Sequence, residues 1–237
     1  MRSHRVVWAG LLIVALGGSY LLLGATTLRG LPDIGEPFDV AKYAAVSIPD
    51  DENAFTFFRR ATDRFVGDES DISASATQYT DWSQIPAETL RSLEQNRESL
   101  DLWFKGTKRD RGFYTKPGVA TIDTVLPVTQ RLRSFMRLAS LRAMRLRLDG
   151  DYAGAWNWIR ANLRCGLLSG QNGFMIERLV GVAIYSTAAG QAVEWADDPR
   201  VDATLLRRAL DDTLAMEAIV PVFSLTVRHE YYAVMNT

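Results

Sequence analysis

The chain has 237 residues, of which 47% are hydrophobic and 23% charged, which is ordinary for a globular protein. Its single cysteine, Cys165, excludes an intramolecular disulfide, and its two histidines remove most routes to histidine catalysis and most zinc sites. The formal net charge of −1 hides net charges of −9 over residues 31–104, +9 over residues 105–178 and −4 over residues 179–237. These parts either pack against one another or leave a basic surface for an anionic partner.

The N-terminus has the pattern of a membrane anchor. Two arginines and a histidine among the first five residues precede residues 6–28, which carry no formal charge. A helix of that length reaches roughly 35 Å, enough to cross a ~30 Å hydrocarbon layer. The basic residues predict a single-pass protein with a cytoplasmic N-terminus and its main domain outside the cytoplasm. A cleavable signal peptide is the alternative, because residues 17–19 are small, and it would give a secreted or periplasmic protein.

Glycine and proline residues between positions 30 and 37 predict a short, stiff linker. We therefore divide the chain into a cytoplasmic tip with its anchor (residues 1–30), a linker (residues 31–49) and a helical domain (residues 50–237). The chain stops at residue 237 while still apolar and helix-like. We therefore expect the domain to continue in a longer protein.

Apolar residues at helical spacing predict two helices early in that domain. Asp50 is the predicted cap of a helix whose phenylalanines recur over residues 55–65. A second helix is predicted over residues 86–106, with a proline in its first turn and a glycine at its end. Residues 67–84 are rich in Ser, Thr and Asp, so we predict an exposed loop between the two helices.

A basic loop follows, in which cations alternate with glycines and two aromatic residues. The cations are Lys105, Lys108, Arg109, Arg111 and Lys116. This pattern is typical either of a solvated loop or of an anion-binding surface. Nucleic acid is not expected as a partner, because a domain outside the cytoplasm meets no genome and no base-reading module is present. Anionic lipid headgroups or cell-envelope polymers are the more sensible target.

The most regular pattern covers residues 127–168 and predicts two helices joined by a turn. Each helix has an apolar stripe, and the two stripes would close on each other. The stripes consist of Leu132, Phe135, Met136, Ala139, Ala143 and Leu146, and of Tyr152, Ala155, Trp156, Ile159, Leu163 and Leu167. Gly150 lies where a helix end favours a left-handed residue, so the hairpin is a credible folding unit.

This hairpin resembles a single tetratricopeptide repeat. The resemblance rests on the small residue Ala143, the turn formed by Gly150, Asp151 and Tyr152, and the small residue Ala155. It implies a helical module that binds proteins, and it carries no catalytic residues over to this sequence. The stretch at residues 48–54, followed by this hairpin, also resembles uncharacterised membrane-anchored helical proteins of bacteria, a resemblance that implies no function.

Residues 174–196 predict another helix, which carries no charge over residues 179–193. We expect a central helix that is buried on most sides and approached closely at its small residues, rather than a second membrane span. Asp202 is the predicted cap of a further helix, and Pro221 should end or kink that helix.

No local pattern for catalysis, metal binding or a cofactor is present. His229 and Glu230 begin a zinc-like motif, but Ala233 stands where the second ligand would be. We therefore predict an all-α protein, with an N-terminal transmembrane helix followed by an irregular helical bundle or a short tetratricopeptide-like array. Its predicted role is a membrane-anchored binding or scaffold module for a protein or cell-envelope partner. An enzyme that uses carboxylates from distant segments is the alternative.

Overall fold

The computed structural model describes residues 35–68, 72, 81–124 and 126–237. Over these residues the chain is helical and contains no β-strand, which confirms the predicted all-α class. Residues from Ala41 to Thr237 belong to one compact unit. The predicted anchor at residues 6–28 lies outside the described residues. Among the residues that are described, no helix is both long enough and apolar enough to cross a membrane.

We number the α-helices of the described residues in chain order. They are α1 (Val40–Ala44), α2 (Ala54–Asp63), α3 (Ala87–Gln95), α4 (Arg97–Gly106), α5 (Pro127–Leu148), α6 (Tyr152–Ser169), α7 (Met175–Ala196), α8 (Ala203–Ala215) and α9 (Phe223–Met235). Short 3-10 turns lie at Trp82–Gln84, Pro117–Val119 and Met216–Ile219. The longest of these helices are α5, α6 and α7, and α6 packs against both of the others.

The predicted hairpin is formed by α5 and α6. Gly150 in its turn has a φ of +84°, the left-handed conformation that favours glycine. Asp151 caps α6, because its carboxylate accepts a hydrogen bond from the Gly154 amide at 2.7 Å. The central residues of both predicted stripes are buried, including Phe135 on α5 and Trp156 on α6. The prediction of this folding unit is confirmed.

Helices α6 and α7 meet at two glycines. A Cβ added to Gly166 would lie 2.7 Å from the carbonyl oxygen of Gly181, and a Cβ on Gly181 would meet the carbonyl oxygen of Gly166 even more closely. Any side chain at either position would therefore force the two helix backbones apart. This contact confirms the expected close approach at the small residues of α7.

The expectation that α7 is buried on most sides is wrong. Its inner side is buried at Val180, Gly181 and Ile184, but the opposite side is exposed and apolar. Leu179 and Val193 expose 57% and 60% of their surfaces. The helix is apolar all round, but only one of its sides is covered. That side packs on α6, whereas the other side has no covering element among the described residues.

The predicted cap of α2 is also wrong, because the helix starts three residues later than Asp50 implied. Asn53 is the cap, and its side-chain oxygen accepts a hydrogen bond from the Phe55 amide at 3.1 Å. The same side chain bonds both the amide and the carbonyl of Phe113, each at 3.2 Å. A cap that bonds backbone groups of both the helix end and a distant loop is favoured over a cap that bonds only the amide at the helix end.

The single helix predicted over residues 86–106 is two helices, α3 and α4, separated at Asn96. The side chain of Asn96 is buried and accepts from the Val66 amide at 2.8 Å. Its amide group donates to the carbonyls of Val66 and Ser92, both at 2.9 Å. Most of the loop predicted at residues 67–84 lies outside the described residues, but Ile72 is buried in the core rather than exposed.

The glycine contact predicts opposite effects for two matched substitutions on α7. Gly181→Ala should lower the free energy of unfolding by about 1–3 kcal/mol, because the new methyl group meets the backbone of α6. Gly190→Ala should raise it by up to about 1 kcal/mol, because a Cβ there meets nothing within 4 Å and alanine favours a helix. Denaturant unfolding of both variants checks this. Stabilisation by both substitutions would contradict the α6–α7 contact.

Candidate functional site

The fold divides the five predicted basic residues. Lys108, Arg109 and Arg111 line one cavity of about 410 Å³, whereas Lys105 and Lys116 lie outside it. Lys105 is in the last turn of α4 and is exposed, as is Lys116 before the next turn. The structure therefore gathers three of the predicted residues and separates the other two from them.

Acidic residues accompany the gathered cations. The same cavity is lined by Asp51, Glu52 and Asp110. Arg111 forms an ion pair with Glu52, and the guanidinium of Arg109 lies 4.6 Å from the centre of the Phe57 ring. Three carboxylates therefore lie beside the three gathered cations.

Side chains from α6 and its C-terminal end hold the backbone of the basic loop. Arg164 donates hydrogen bonds to the carbonyl oxygens of Thr107 at 2.6 Å and Arg109 at 2.8 Å. Gln171 donates to the carbonyl of Asp110 at 3.1 Å. Because these carbonyls are bonded to the protein, the loop is a defined part of the fold rather than a freely solvated segment.

A second cavity, which we call the arginine cleft, shares Lys108 and Asp110 with the first and has a volume of about 240 Å³. It is lined by the end of α4, the basic loop, α6 and α8. Its residues are Phe104, Thr107, Lys108, Asp110, Asn157, Arg160, Ala161, Arg164, Asp212 and Ala215. Charged side chains of both signs and a short apolar wall therefore meet in one cleft.

Asp212 fixes one of the two arginines in this cleft. One of its oxygens accepts from Nη1 of Arg160 at 2.5 Å, and the other accepts from Nε1 of Trp156 at 2.8 Å. The side chains of Arg160 and Asp212 expose only 29% and 21% of their surfaces. An ion pair held in this way costs little further ordering when a ligand binds beside it.

Both arginines keep unused hydrogen-bonding capacity. In the part of the chain that the structure describes, Nε and Nη2 of Arg160 and Nη1 of Arg164 have no hydrogen-bond partner. The two residues are four positions apart on α6, so they share one side of that helix. Lys108, whose ammonium lies 4.9 Å from the centre of the Phe104 ring, adds a third cation to the same cleft.

The sequence pointed to Lys108 but missed the other members of the cleft. Asp212, which is paired with Arg160, was not among the predicted site residues. Arg160 and Arg164 lie on one side of α6 because they are four residues apart. Nothing local predicted that α8 would bring a carboxylate to them.

A separate polar cluster is buried between α9 and the start of α7. Glu177 accepts hydrogen bonds from the Phe174 amide at 2.9 Å and from Thr129 at 3.3 Å. His229 shares a hydrogen bond between its Nδ1 and the Tyr43 hydroxyl at 3.2 Å, while its Nε2 is buried without a partner among the described residues. These groups tie α1, α5, α7 and α9 together.

Burial dominates the protonation of this cluster. It raises the pKa of Glu177 to about 7, an effect that nearby Glu230 increases and the hydrogen bonds of Glu177 reduce. It lowers the pKa of His229 to about 4 and raises the pKa of Tyr43 to about 12. Both Glu177 and His229 are therefore held in their uncharged forms near pH 5 to 6.

These shifts predict that stability depends on pH in two opposed ways. As pH falls from about 6.5 to 4, unfolded His229 takes up a proton that the folded side chain refuses, so stability falls. As pH rises from about 4.5 to 7, unfolded Glu177 ionises while the folded side chain stays protonated, so stability again falls. Each loss amounts to about 3 kcal/mol.

Denaturant unfolding between pH 4 and 8 separates the two contributions. Glu177→Gln should remove the decline between pH 4.5 and 7, and His229→Gln should remove the decline below pH 6.5. The slope of stability against pH is the quantity to compare, because either substitution also changes stability itself. Unchanged slopes in both variants would contradict the assigned burial.

Comparisons with known proteins found no relative of this chain. No protein-family profile, no curated protein and no solved structure matches the chain significantly. The tetratricopeptide resemblance of the hairpin accordingly stays a prediction, and the function has to be argued from the chemistry of the cleft itself.

Proposed function

We propose that this protein is a membrane-anchored helical binding module, and that its arginine cleft binds a single carboxylate side chain of a partner protein. The observation that carries this proposal is a cleft with two arginines that are already fixed by protein groups and still have N–H donors to offer. A guanidinium and a carboxylate match in shape and charge, and such hydrogen bonds are among the strongest that proteins form.

The mixture of charges in the cleft favours a single carboxylate over a polyanion. Asp110 and Asp212 line the cleft together with the cations, and Asp51 and Glu52 lie beside the neighbouring cavity. A lipid surface or polymer with many negative charges would bring several of its groups against these carboxylates. One acidic side chain surrounded by neutral residues avoids that repulsion.

The size and lining of the cleft suit one residue of a peptide. Its volume of about 240 Å³ lies just below the ~300–1,000 Å³ of pockets that enclose a whole small molecule. Phe104, Ala161 and Ala215 offer apolar contact for the methylene groups of an acidic side chain. Asn157 adds an amide that can bond a peptide backbone.

A fluorescent peptide with one internal glutamate among neutral residues and an amidated C-terminus is the probe that tests this proposal. It should bind the full chain in mild detergent more tightly than its counterpart with glutamine in place of the glutamate. Lys108→Ala should weaken binding roughly three- to tenfold, because it removes one exposed cation from the cleft. Arg160→Lys should weaken it at least as much, because it keeps the charge but loses the planar guanidinium.

Lys105→Ala is the matched control, since Lys105 is exposed on the same part of the chain but lies outside the cleft. It should leave binding unchanged, and thermal unfolding should show that all variants fold. An equal effect of the Lys105 and Lys108 substitutions would mean that only overall charge matters. Tighter binding to anionic vesicles than to the peptide would replace the proposed partner with an envelope surface.

The anchor is tested separately. We expect the full chain to fractionate with membranes, because residues 6–28 are uncharged and long enough to span a bilayer. A version that starts at Leu31 should be soluble. Equal solubility of the two versions in the cytoplasm would contradict the anchor without affecting the argument for the cleft.

A further inference from the structure

The exposed side of α7 forms a continuous apolar strip, which we call the outer α7 face. It consists of Ile176, Leu179, Val182, Ala183, Ser186, Gly190 and Val193, all of them exposed. At about 100° per residue these positions fall within an arc of roughly 120°. The strip contains no charged residue and is about 26 Å long. A helix face of this kind is normally covered.

Neighbouring residues widen the strip at one end. Arg178 donates hydrogen bonds to the Pro221 carbonyl at 3.2 and 3.3 Å, and its guanidinium lies 5.3 Å from the centre of the Phe223 ring. This places the segment that leads into α9, residues 220–223, beside the first turns of α7. In that segment Val220, Val222 and Phe223 expose 54%, 57% and 55% of their surfaces.

The apolar area is large enough for a stable interface. The large side chains of the strip and of this neighbouring segment together expose on the order of 700 Å², whereas each partner in a standard-size interface contributes ~800 Å². The largest apolar patch of a typical monomer is about 300–600 Å². The area therefore matches what a second protein surface would cover.

We propose that the outer α7 face is covered by the same face of a second copy of this chain, with the two α7 helices antiparallel. The strip has large apolar residues over positions 176–182, small residues over positions 183–190 and Val193 at its far end. In an antiparallel pair centred between Ala183 and Ser186, Leu179 of one copy lies opposite Gly190 of the other. Ile176 likewise lies opposite Val193.

The alternating sizes favour this arrangement over a parallel pair. Gly190 borders open space, since an added Cβ would meet nothing within 4 Å. That space is where Leu179 of a second copy fits. A parallel pair would instead place Leu179 against Leu179 and Gly190 against Gly190, which crowds one level of the interface and leaves a void at another. The central pair of small residues lets the two backbones approach.

This inference does not rest on the proposed function, because no residue of the arginine cleft belongs to the outer α7 face. Peptide binding and self-association can therefore succeed or fail independently. A lone chain could still bind the acidic peptide, and a dimer could form without it.

Site-specific cross-linking of full chains tests the arrangement. One chain carries Leu179→Cys and a second, differently tagged chain carries Gly190→Cys. The native Cys165 is buried, and the unsubstituted chain measures any cross-linking through it. We expect an oxidised disulfide dimer only when the two chains are mixed. Copies that both carry Leu179→Cys would hold their cysteines about 16 Å apart along the helix axis, too far for a disulfide.

A size exchange provides a second measurement that does not depend on disulfide formation. Gly190→Leu should weaken self-association roughly ten- to hundredfold, because its side chain meets Leu179 of the other copy. Adding Leu179→Ala to the same chain should restore it by making room at each contact. Ala153→Leu, which adds the same bulk on the exposed side of α6, should have no effect.

Two results would overturn the proposal. Disulfides that join chains with the same tag, but not chains with different tags, would show a parallel pair. The other result is a chain that stays monomeric at all concentrations. If lipid alone then shields both introduced cysteines from a water-soluble thiol reagent, the occupant is a bilayer surface.

Discussion

The backbone contact between Gly166 and Gly181 is the constraint on which the central arrangement of helices depends. Because neither residue has a side chain, α6 and α7 approach until the carbonyl of one limits the other. That approach fixes the rotation of α7 about its axis, so that Val180 and Ile184 enter the core. The opposite side of α7 is turned outward for the same reason, although it is equally apolar.

Helix α6 links this contact to the arginine cleft. The helix that carries Gly166 also carries Arg160 and Arg164, and its packing places them against α8 and the basic loop. Arg164 then holds the loop through backbone carbonyls, while Asp212 holds Arg160. The cleft is therefore built from groups whose positions are set by the core, which is the condition for a preorganised binding site.

Part of the polarised charge along the chain is paired inside the molecule. Arg111 pairs with Glu52, which joins the basic middle of the chain to its acidic first part. Arg160 pairs with Asp212, and Arg147 lies 3.6 Å from Asp198, so the basic middle is also joined to the acidic last part. The charge distribution allowed either internal pairing or a basic surface for an anionic partner, and these contacts are internal pairs. The cleft retains a local surplus of cations.

The amino-acid sequence by itself determined the helical class, the α5–α6 hairpin with its left-handed glycine, and the cap that Asp202 provides for α8. These features depend on residues within a few turns of one another, and apolar spacing and cap chemistry act over that range. The sequence also singled out Lys108, since a cluster of cations is visible along the chain.

Only the tertiary structure decided the features that depend on distant partners. Asn53 replaced Asp50 as a cap because it also bonds Phe113, and Asn96 divided a helix while bonding Val66. The arginine cleft joins residues from Phe104 to Ala215, and no local pattern records which of them will meet. The exposure of one side of α7 has the same origin, because an apolar side chain shows no preference between two faces until a neighbouring helix packs against one of them.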